Sequence, residues 1–493
     1  MKRNFVISSE LASLTLCFCV LPLYSQKDNE NPNIIYILVD DLGYGDVGCY
    51  GQKYVKTPNI DKLANEGILF TQHYASAPVS APTRGCLMTG KHLGNAYIRN
   101  NRELKEDDPR KTGQEPLPKD TYTLADMLKE RGYVTALIGK WGLGSIASHS
   151  SPNKQGFDFF YGYADQVHAH NHYPDFLWRN DKQEFLNGNV TTVHPEISKE
   201  EEVALDAYKK YQGKNYSLDL MADEAVKFIR SNQDKPFFLY LAFTVPHKAL
   251  QVPDESLKMY KGLLDEIPYD GKRGYTPHPK PLSAYAAMIT RMDEKIGVIM
   301  DYLKEAGLDN NTIVMFTSDN GPASGGGLDT QFFNSSGGLK GQKGQLYEGG
   351  IRVPFVARWP KQIKPGTRTD HISAQYDVMA TFAELTGDII EDTDGISFLN
   401  TLLGNDEAQE KHEYLYWEFS GSGGQYAIRM NEWKGVKNNV RGNADSKWEI
   451  YNISEDDFES ENVVSQHPEL VSEFDKIIRK RTPAVIDEWN FEK

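Results

Sequence analysis

Residues 33–41 read NIIYILVDD, a run dominated by apolar and β-branched side chains and closed by two acids. A strand with one wet face alternates apolar and polar residues. This run does not, so it predicts a central strand covered on both faces. Comparable runs stand at Val134–Ile138 (VTALI), Pro236–Phe243 (PFFLYLAF), Thr312–Phe316 (TIVMF) and Val353–Ala357 (VPFVA), each read as a buried parallel strand. Helical spacing lies between them at Asn59–Glu66, Thr123–Arg131, Leu218–Ser231, Leu282–Ala306 and Tyr376–Thr386. Strands alternating with helices predict an α/β fold: a large, mostly parallel central sheet flanked by helices on both faces.

Past Leu403 the texture changes. Tyr414–Phe419, Tyr426–Met430, Trp433–Lys437 and Trp448–Asn452 are short aromatic-rich strand candidates separated by polar turns, and a helical pattern follows over Pro468–Arg481. They predict a smaller C-terminal antiparallel α+β subdomain over residues 404–493, after a catalytic α/β domain over residues 26–403. The glycine- and serine-rich stretch Ser324–Gly338 reads as a long loop, and loops of that length in a compact domain are often functional.

Residues 1–25 carry Lys2 and Arg3 ahead of an apolar run from Leu11 to Tyr24, the pattern of a signal peptide cleaved near Ser25–Gln26. Ordinary cleavage is expected over lipidation at Cys17, because Leu16 is larger than the small residue that precedes a lipidated cysteine. No later stretch is apolar for long enough to span a membrane, so no transmembrane segment is expected. Cleavage would leave Cys49 and Cys86, which are too few for a thiolate metal site or a disulfide framework. They are either one bridge or two buried small hydrophobes. The net charge of −15 argues against a nucleic-acid partner, and it requires any anionic substrate to be drawn in by a local basic pocket or a metal.

Ligands of such sheets bind beyond the carboxyl ends of the strands, where Asp40, Asp41, Asp319 and Asn320 all fall. Taken singly, DD and SDNG are ordinary turn formers. Together at strand ends they offer hard oxygen donors suited to Ca²⁺ or Mg²⁺, and with no thiol or imidazole among them zinc is disfavoured. In residues 77–92, APVSAPTRGCLMTGKH, Pro82 suits the first turn of a helix. That places Ser80 and Arg84 at a helix N-terminus, where amides and the dipole favour an anion and a guanidinium can grip sulfate or phosphate in bidentate fashion. In isolation the same five residues read as a capping serine beside an exposed arginine. Lys140 (IGKWGLG), His247 (TVPHKALQVP) and Lys343 (KGQLYEGGIRVP) would bring positive or titratable groups to the same face.

Ser80-Ala81-Pro82-Thr83-Arg84 matches C/S-x-P-x-R, the signature of the formylglycine-dependent sulfatases in their serine form. DDLGYGD, GKWGLG, SDNGP and LYEGGIRVP resemble the other landmarks of that family, in order, and EIYNISEDDFESENV resembles its closing segment. The resemblance implies an alkaline-phosphatase-like fold and one Ca²⁺ per chain, ligated by Asp40, Asp41, Asp319, Asn320 and the modified Ser80. It further implies that a radical maturase oxidises Ser80 to formylglycine before export to the periplasm or outer surface of a Gram-negative bacterium. One hydroxyl of the hydrated aldehyde would attack sulfur while Arg84 and Lys140 neutralise the sulfate oxygens. His247, helped by Lys343, would protonate the departing sugar oxygen, and the second hydroxyl would expel sulfate. Gly142 departs from the family: many relatives carry histidine there, credited with helping the elimination. Either another group takes its place, with His149 and His168 as nearby candidates, or this branch uses water or Lys140.

The segment DQVHAHNHYPDFLWRN resembles bacterial carbohydrate sulfatases related to N-acetylgalactosamine-6-sulfatase. It suggests a galactose or N-acetylgalactosamine 6- or 4-sulfate from host or algal glycans, with Gln166, His168 and His170 as hydrogen-bond partners for ring hydroxyls. His168, His170 and His172 alternate as if on one strand face, and a polar sugar-binding loop is the preferred reading over a second metal site. Two alternatives stay open: a phosphate-ester hydrolase of the same superfamily, and a non-catalytic sulfoglycan-binding protein, for which Gly142 is the motive.

Overall fold

A computed structural model describes residues 1, 31–189, 209–262, 264–272 and 274–492. The signal-peptide expectation for residues 1–25 therefore lies outside the described residues, apart from Met1.

Asn33–Val39 is the strand the sequence predicts, with every residue buried. It runs near the middle of a ten-stranded sheet. Thr312–Ser318 pairs with it in parallel on one side and Phe237–Ala242 on the other. Beyond the latter, Val134–Lys140 and then Phe159–Tyr163 continue in parallel. Its side chains alternate between two cores, as period-2 geometry requires. Ile35, Ile37 and Val39 join the helices Ser217–Ser231 and Pro281–Glu305 through Met221, Ala225, Ile289 and Ile296. Ile34, Tyr36 and Leu38 join Leu124–Glu130 and Asp377–Leu385 through Leu124, Leu128, Val378 and Phe382. Helices on both faces explain why the strand carries no polar alternation.

One strand differs from expectation. Phe355–Arg358, inside the VPFVA run, is antiparallel to both Thr312–Ser318 and Ile68–Phe70. It is buried on both faces like the parallel strands of the sheet, so its composition carries no mark of direction. Outside these Thr367–Thr369 pairs in parallel with Ile68–Phe70, while at the other margin Phe176–Arg179 and Lys182–Phe185 follow Phe159–Tyr163 in antiparallel pairing.

The C-terminal strands Leu415–Phe419, Gln425–Met430, Trp433–Lys437 and Trp448–Asn452 form a separate four-stranded antiparallel meander in sequence order. The helix Pro468–Arg479 covers it with Leu470, Phe474, Ile477 and Ile478. Gly435 is what lets Phe474 lie flat on the sheet, since a Cβ there would meet the ring at 2.5 Å. The described residues from 31 onward pack as a single unit, so the division we propose after residue 403 rests on the change of sheet. Cys49 and Cys86 are both free thiols. They pack against different cores, which settles the question of a bridge in favour of two small hydrophobes. No helix among the described residues is long and apolar enough to cross a membrane.

Candidate active site

Five adjacent parallel strands deliver their carboxyl ends to one edge of the sheet. Asp40 and Asp41 follow Val39, Asp319 and Asn320 follow Ser318, and Lys140 ends its own strand. His247 lies five residues beyond Ala242, and Gln166 three beyond Tyr163. The ends are tied together by the Asp319 amide donating to the Val39 carbonyl (3.0 Å) and the Trp141 amide to the Tyr163 carbonyl (2.9 Å).

The helix Ser80–Thr89 starts at this edge, with Ser80 as its first residue. Ser80 is 1% and Arg84 0% exposed, which excludes the reading of a solvated cap and a surface arginine. Ser80 Oγ donates to Asp40 Oδ1 at 3.2 Å and lies 3.2 Å from Lys140 Nζ. Lys140 Nζ also bonds Asp40 Oδ2. Arg84 donates to the Lys140 carbonyl and to Asp319 Oδ2, both at 2.9 Å. Burial works against the Arg84 charge, but Tyr240, Asp319 and Asp40 outweigh it and hold its pKa above the usual arginine value. Its Nε is buried with no partner among the described residues.

Lys343 Nζ donates to Asp41 Oδ1 at 2.6 Å, and His247 Nε2 stands 3.5 Å from Asp41 Oδ2. Burial, together with the charges of Lys343 and Lys140, holds the His247 pKa well below that of an ordinary histidine. For Asp40, burial pushes upward, but the Lys140 and Arg84 charges prevail and the carboxyl stays below its usual range.

The acidic cluster passes a test for a hard cation. Asp41 Oδ2 and Asn320 Oδ1 are buried and accept no hydrogen bond among the described residues. Orphaned acceptors beside two further carboxylates are costly unless a cation completes them. Among the described residues, the one group of His, Cys, Asp or Glu with metal spacing is Asp40, Asp41 and His247, whose ligand atoms lie within 4.8 Å of one another. A site with three histidines on one strand face does not form. His168–His170 is a turn of 3₁₀ helix, and His172 is buried with its Nε2 against the His247 carbonyl.

Ser80, Lys140, Gln166, His170, His247 and Lys343 line one cavity of about 280 Å³. His170 stacks on His247, with ring centroids 4.3 Å apart and planes 10° from parallel. His168 is not among the lining residues: it packs against Tyr163 and Phe176, with Nε2 3.4 Å from Asp175. His149 is tied to the Leu117 carbonyl at 2.8 Å and is likewise not at the cavity. The wall also contains Asn101, Glu103, Gln114, Val167 and Tyr275. Val167 belongs to the segment already singled out, but the other four had no sequence signal, because each sits in a loop or a two-residue strand whose position depends on long-range packing.

Gly142 has φ +75°, and a Cβ there would lie 3.2 Å from Gln166 Cγ and 3.6 Å from Arg84 Cδ. Gln166 thus fills the space a side chain at residue 142 would need. Gly142→Ala should carry the left-handed penalty of roughly 1–2 kcal/mol and push Gln166 aside. A lowered thermal unfolding midpoint, with KM raised more than kcat is lowered, is the expected outcome; a variant as stable and active as the parent would contradict it.

A mostly parallel sheet with carboxylates, an amide and a helix-borne serine at its strand ends, faced by buried cations, is the arrangement of an ester hydrolase of alkaline-phosphatase-like fold with donors suited to a hard cation. The chain belongs to the sulfatase family: residues 32–389 match its family model, and residues 341–482 match the model of the N-sulphoglucosamine sulphohydrolase C-terminal region. It is therefore a sulfuric ester hydrolase. N-acetylgalactosamine-6-O-sulfatase of Bacteroides thetaiotaomicron is 32% identical, over 92% of this chain and 94% of that protein. Human steryl-sulfatase is 30% identical, over 78% of this chain and 72% of that protein. The crystal structure of Ps i-CgsB in complex with k-i-k-neocarrahexaose superposes with a TM-score of 0.72 at 28% identity, covering 94% of this chain and 93% of that one.

Proposed function

We propose that this protein is an exported carbohydrate sulfatase that works through a formylglycine made from Ser80. The observation that carries the reading is the convergence of Ser80, Lys140, His247 and Lys343 on one cavity, with Arg84 buried on the same helix and bonded to the Lys140 carbonyl. Asp40, Asp41, Asp319, Asn320 and residue 80 would hold a calcium ion, which when bound would polarise the sulfate oxygens and favour ionisation of the attacking hydroxyl. Residue 80 lies against Asp40 and Lys140, the place from which an oxygen must approach sulfur. Arg84 and Lys140 gather the charge that builds on the sulfate oxygens, and being fixed by burial they need little reorganisation to do so. His247 gives a proton to the departing sugar oxygen. The negative charge of a bound sulfate ester counters the burial and the lysine charges that otherwise depress its pKa. Lys343, at the mouth, holds the ester against this machinery. Gln166 and His170, both on the cavity wall, would bond ring hydroxyls.

The substrate we infer is a galactose or N-acetylgalactosamine carrying a 6- or 4-sulfate, following the relative whose name specifies N-acetylgalactosamine-6-O-sulfate. A radical maturase acting before export to the periplasm or cell surface fits the serine form and the basic, apolar N-terminus. The test is turnover of defined monosaccharide sulfates by protein co-expressed with such a maturase. Desulfation of a galacto-configured sulfate supports the reading, and faster turnover of phosphate esters than of every sulfate would overturn it. Treatment with a calcium chelator should reduce activity by at least about 10²-fold, with calcium restoring it; full activity after exhaustive chelation would remove the metal from the mechanism.

A further inference from the structure

Lys343 reaches the cavity from an irregular segment between Ser324–Gly338 and the short helix Glu348–Ile351, so something must hold its backbone in place. Three separate parts of the fold do. The Lys343 amide donates to the Pro322 carbonyl at 3.0 Å, just past Asp319 and Asn320. The Gly344 amide donates to the Pro78 carbonyl at 2.9 Å, two residues before Ser80. The third comes from the C-terminal sheet. The Gln425 side chain donates through Nε2 to the Gly344 carbonyl at 3.0 Å and accepts from the Leu346 amide through Oε1 at 3.2 Å.

We propose that Gln425 is a positioning residue that clips the Lys343 segment with both ends of its amide, so that the C-terminal sheet sets where the Lys343 ammonium stands in the sulfate pocket. The inference rests on the reading of Lys343 given above. Gln425 is 2% exposed and opens the strand Gln425–Met430, pairing with Phe419 in register. It is therefore fixed by the sheet before it grips the segment. One amide that serves as donor and acceptor two residues apart fixes the rotation of that backbone as well as its distance. A buried ionic group secures the far end of the segment. Lys434 Nζ lies 2.8 Å from Glu348 and 3.0 Å from Glu459, and the Glu348 amide donates to Glu459 at 2.7 Å. Lys434, like Gln425, belongs to the C-terminal sheet, so the small sheet holds the segment at both ends while Lys343 points away from it into the site.

The test is a double-mutant cycle read as kcat/KM on the sulfated sugar the wild type turns over. Gln425→Met keeps the volume and removes both hydrogen bonds. It should lower kcat/KM by about 10-fold to 30-fold, chiefly through KM, in the wild-type background and by less than about 2-fold in a Lys343→Ala background. A merely structural role for Gln425 would cost the same factor in both backgrounds, and that result overturns the proposal. Gln425→Glu, which keeps shape and acceptor but lacks the donor to Gly344, is the second variant if the first fails to fold, and the same comparison decides. Lys343→Ala alone separates the two levels: if it leaves kcat/KM unchanged, the sulfate-binding role of Lys343 fails and the clip fails with it. A loss in Lys343→Ala with additive effects of Gln425 condemns the clip alone.

Discussion

Ser80→Ala is expected to abolish turnover, with a loss on the order of 10⁵-fold or more, as when the nucleophile of a coupled catalytic group is removed. The fold should survive. Among the described residues Ser80 Oγ bonds only Asp40 and Lys140, and these still bond each other when the hydroxyl is gone. The helix Ser80–Thr89 owes nothing to that hydroxyl either: its N-cap is Val79, and the Ala81 amide is satisfied by Asn101 at 2.9 Å. Thermal unfolding of the variant should therefore match the parent closely while activity disappears. The companion measurement is the mass of the peptide bearing residue 80. Active protein should lack two hydrogens there, the mark of an alcohol oxidised to an aldehyde. Protein made without a maturase should carry plain serine and stop after a single transfer, because a serine sulfate has no second hydroxyl to expel the group. Sustained turnover by plain serine would refute the formylglycine reading while leaving the family assignment intact.

Arg84→Lys should cost about 10³-fold in kcat/KM, the upper range for losing one preorganised donor to a developing oxyanion. Both side chains are cationic, so the loss would come from geometry. The guanidinium meets the Lys140 carbonyl with one nitrogen and Asp319 with another. A single ammonium cannot span these positions, and Asp319 would lose a partner at a site with no exposure to water. The loss should appear in kcat as well as KM, since charge on the sulfate oxygens is greatest in the transition state. An Arg84→Lys enzyme with undiminished kcat would mean that Arg84 orders the site without touching the reacting group.

Much of the scaffold is legible in the order of the residues. The strands at 33–39, 134–140, 237–242 and 312–318 can be read because burial on both faces forces unbroken apolar runs. The C-terminal meander can be read because aromatic strands alternate with polar turns, and Trp433–Lys437 and Trp448–Asn452 fall on the residues predicted. The direction of Phe355–Arg358 is not legible, since parallel and antiparallel neighbours look alike to a buried side chain. The histidines at 168, 170 and 172 mislead for a related reason: period-2 spacing also occurs in a 3₁₀ turn, where it puts His170 on His247 and His168 on Asp175.

What the sequence alone determined is the chemistry and its approximate place: the strand-end acids, the serine–arginine pair at a helix start, and the cations after buried strands. Each is a local pattern, short in sequence and bound to one element, so a linear reading finds it. How these pieces face one another follows from long-range packing. It put Arg84 wholly inside, left Asp41 and Asn320 with acceptors unmet, gave the space beside Gly142 to Gln166, and brought Asn101, Glu103, Gln114 and Tyr275 to the cavity wall. It also laid Gln425 against a segment some eighty residues distant in sequence (|i−j| = 81 to Gly344), where the clip is made. Contacts of that kind depend on register and packing between elements far apart in the chain, and residue type at either end carries no record of its partner.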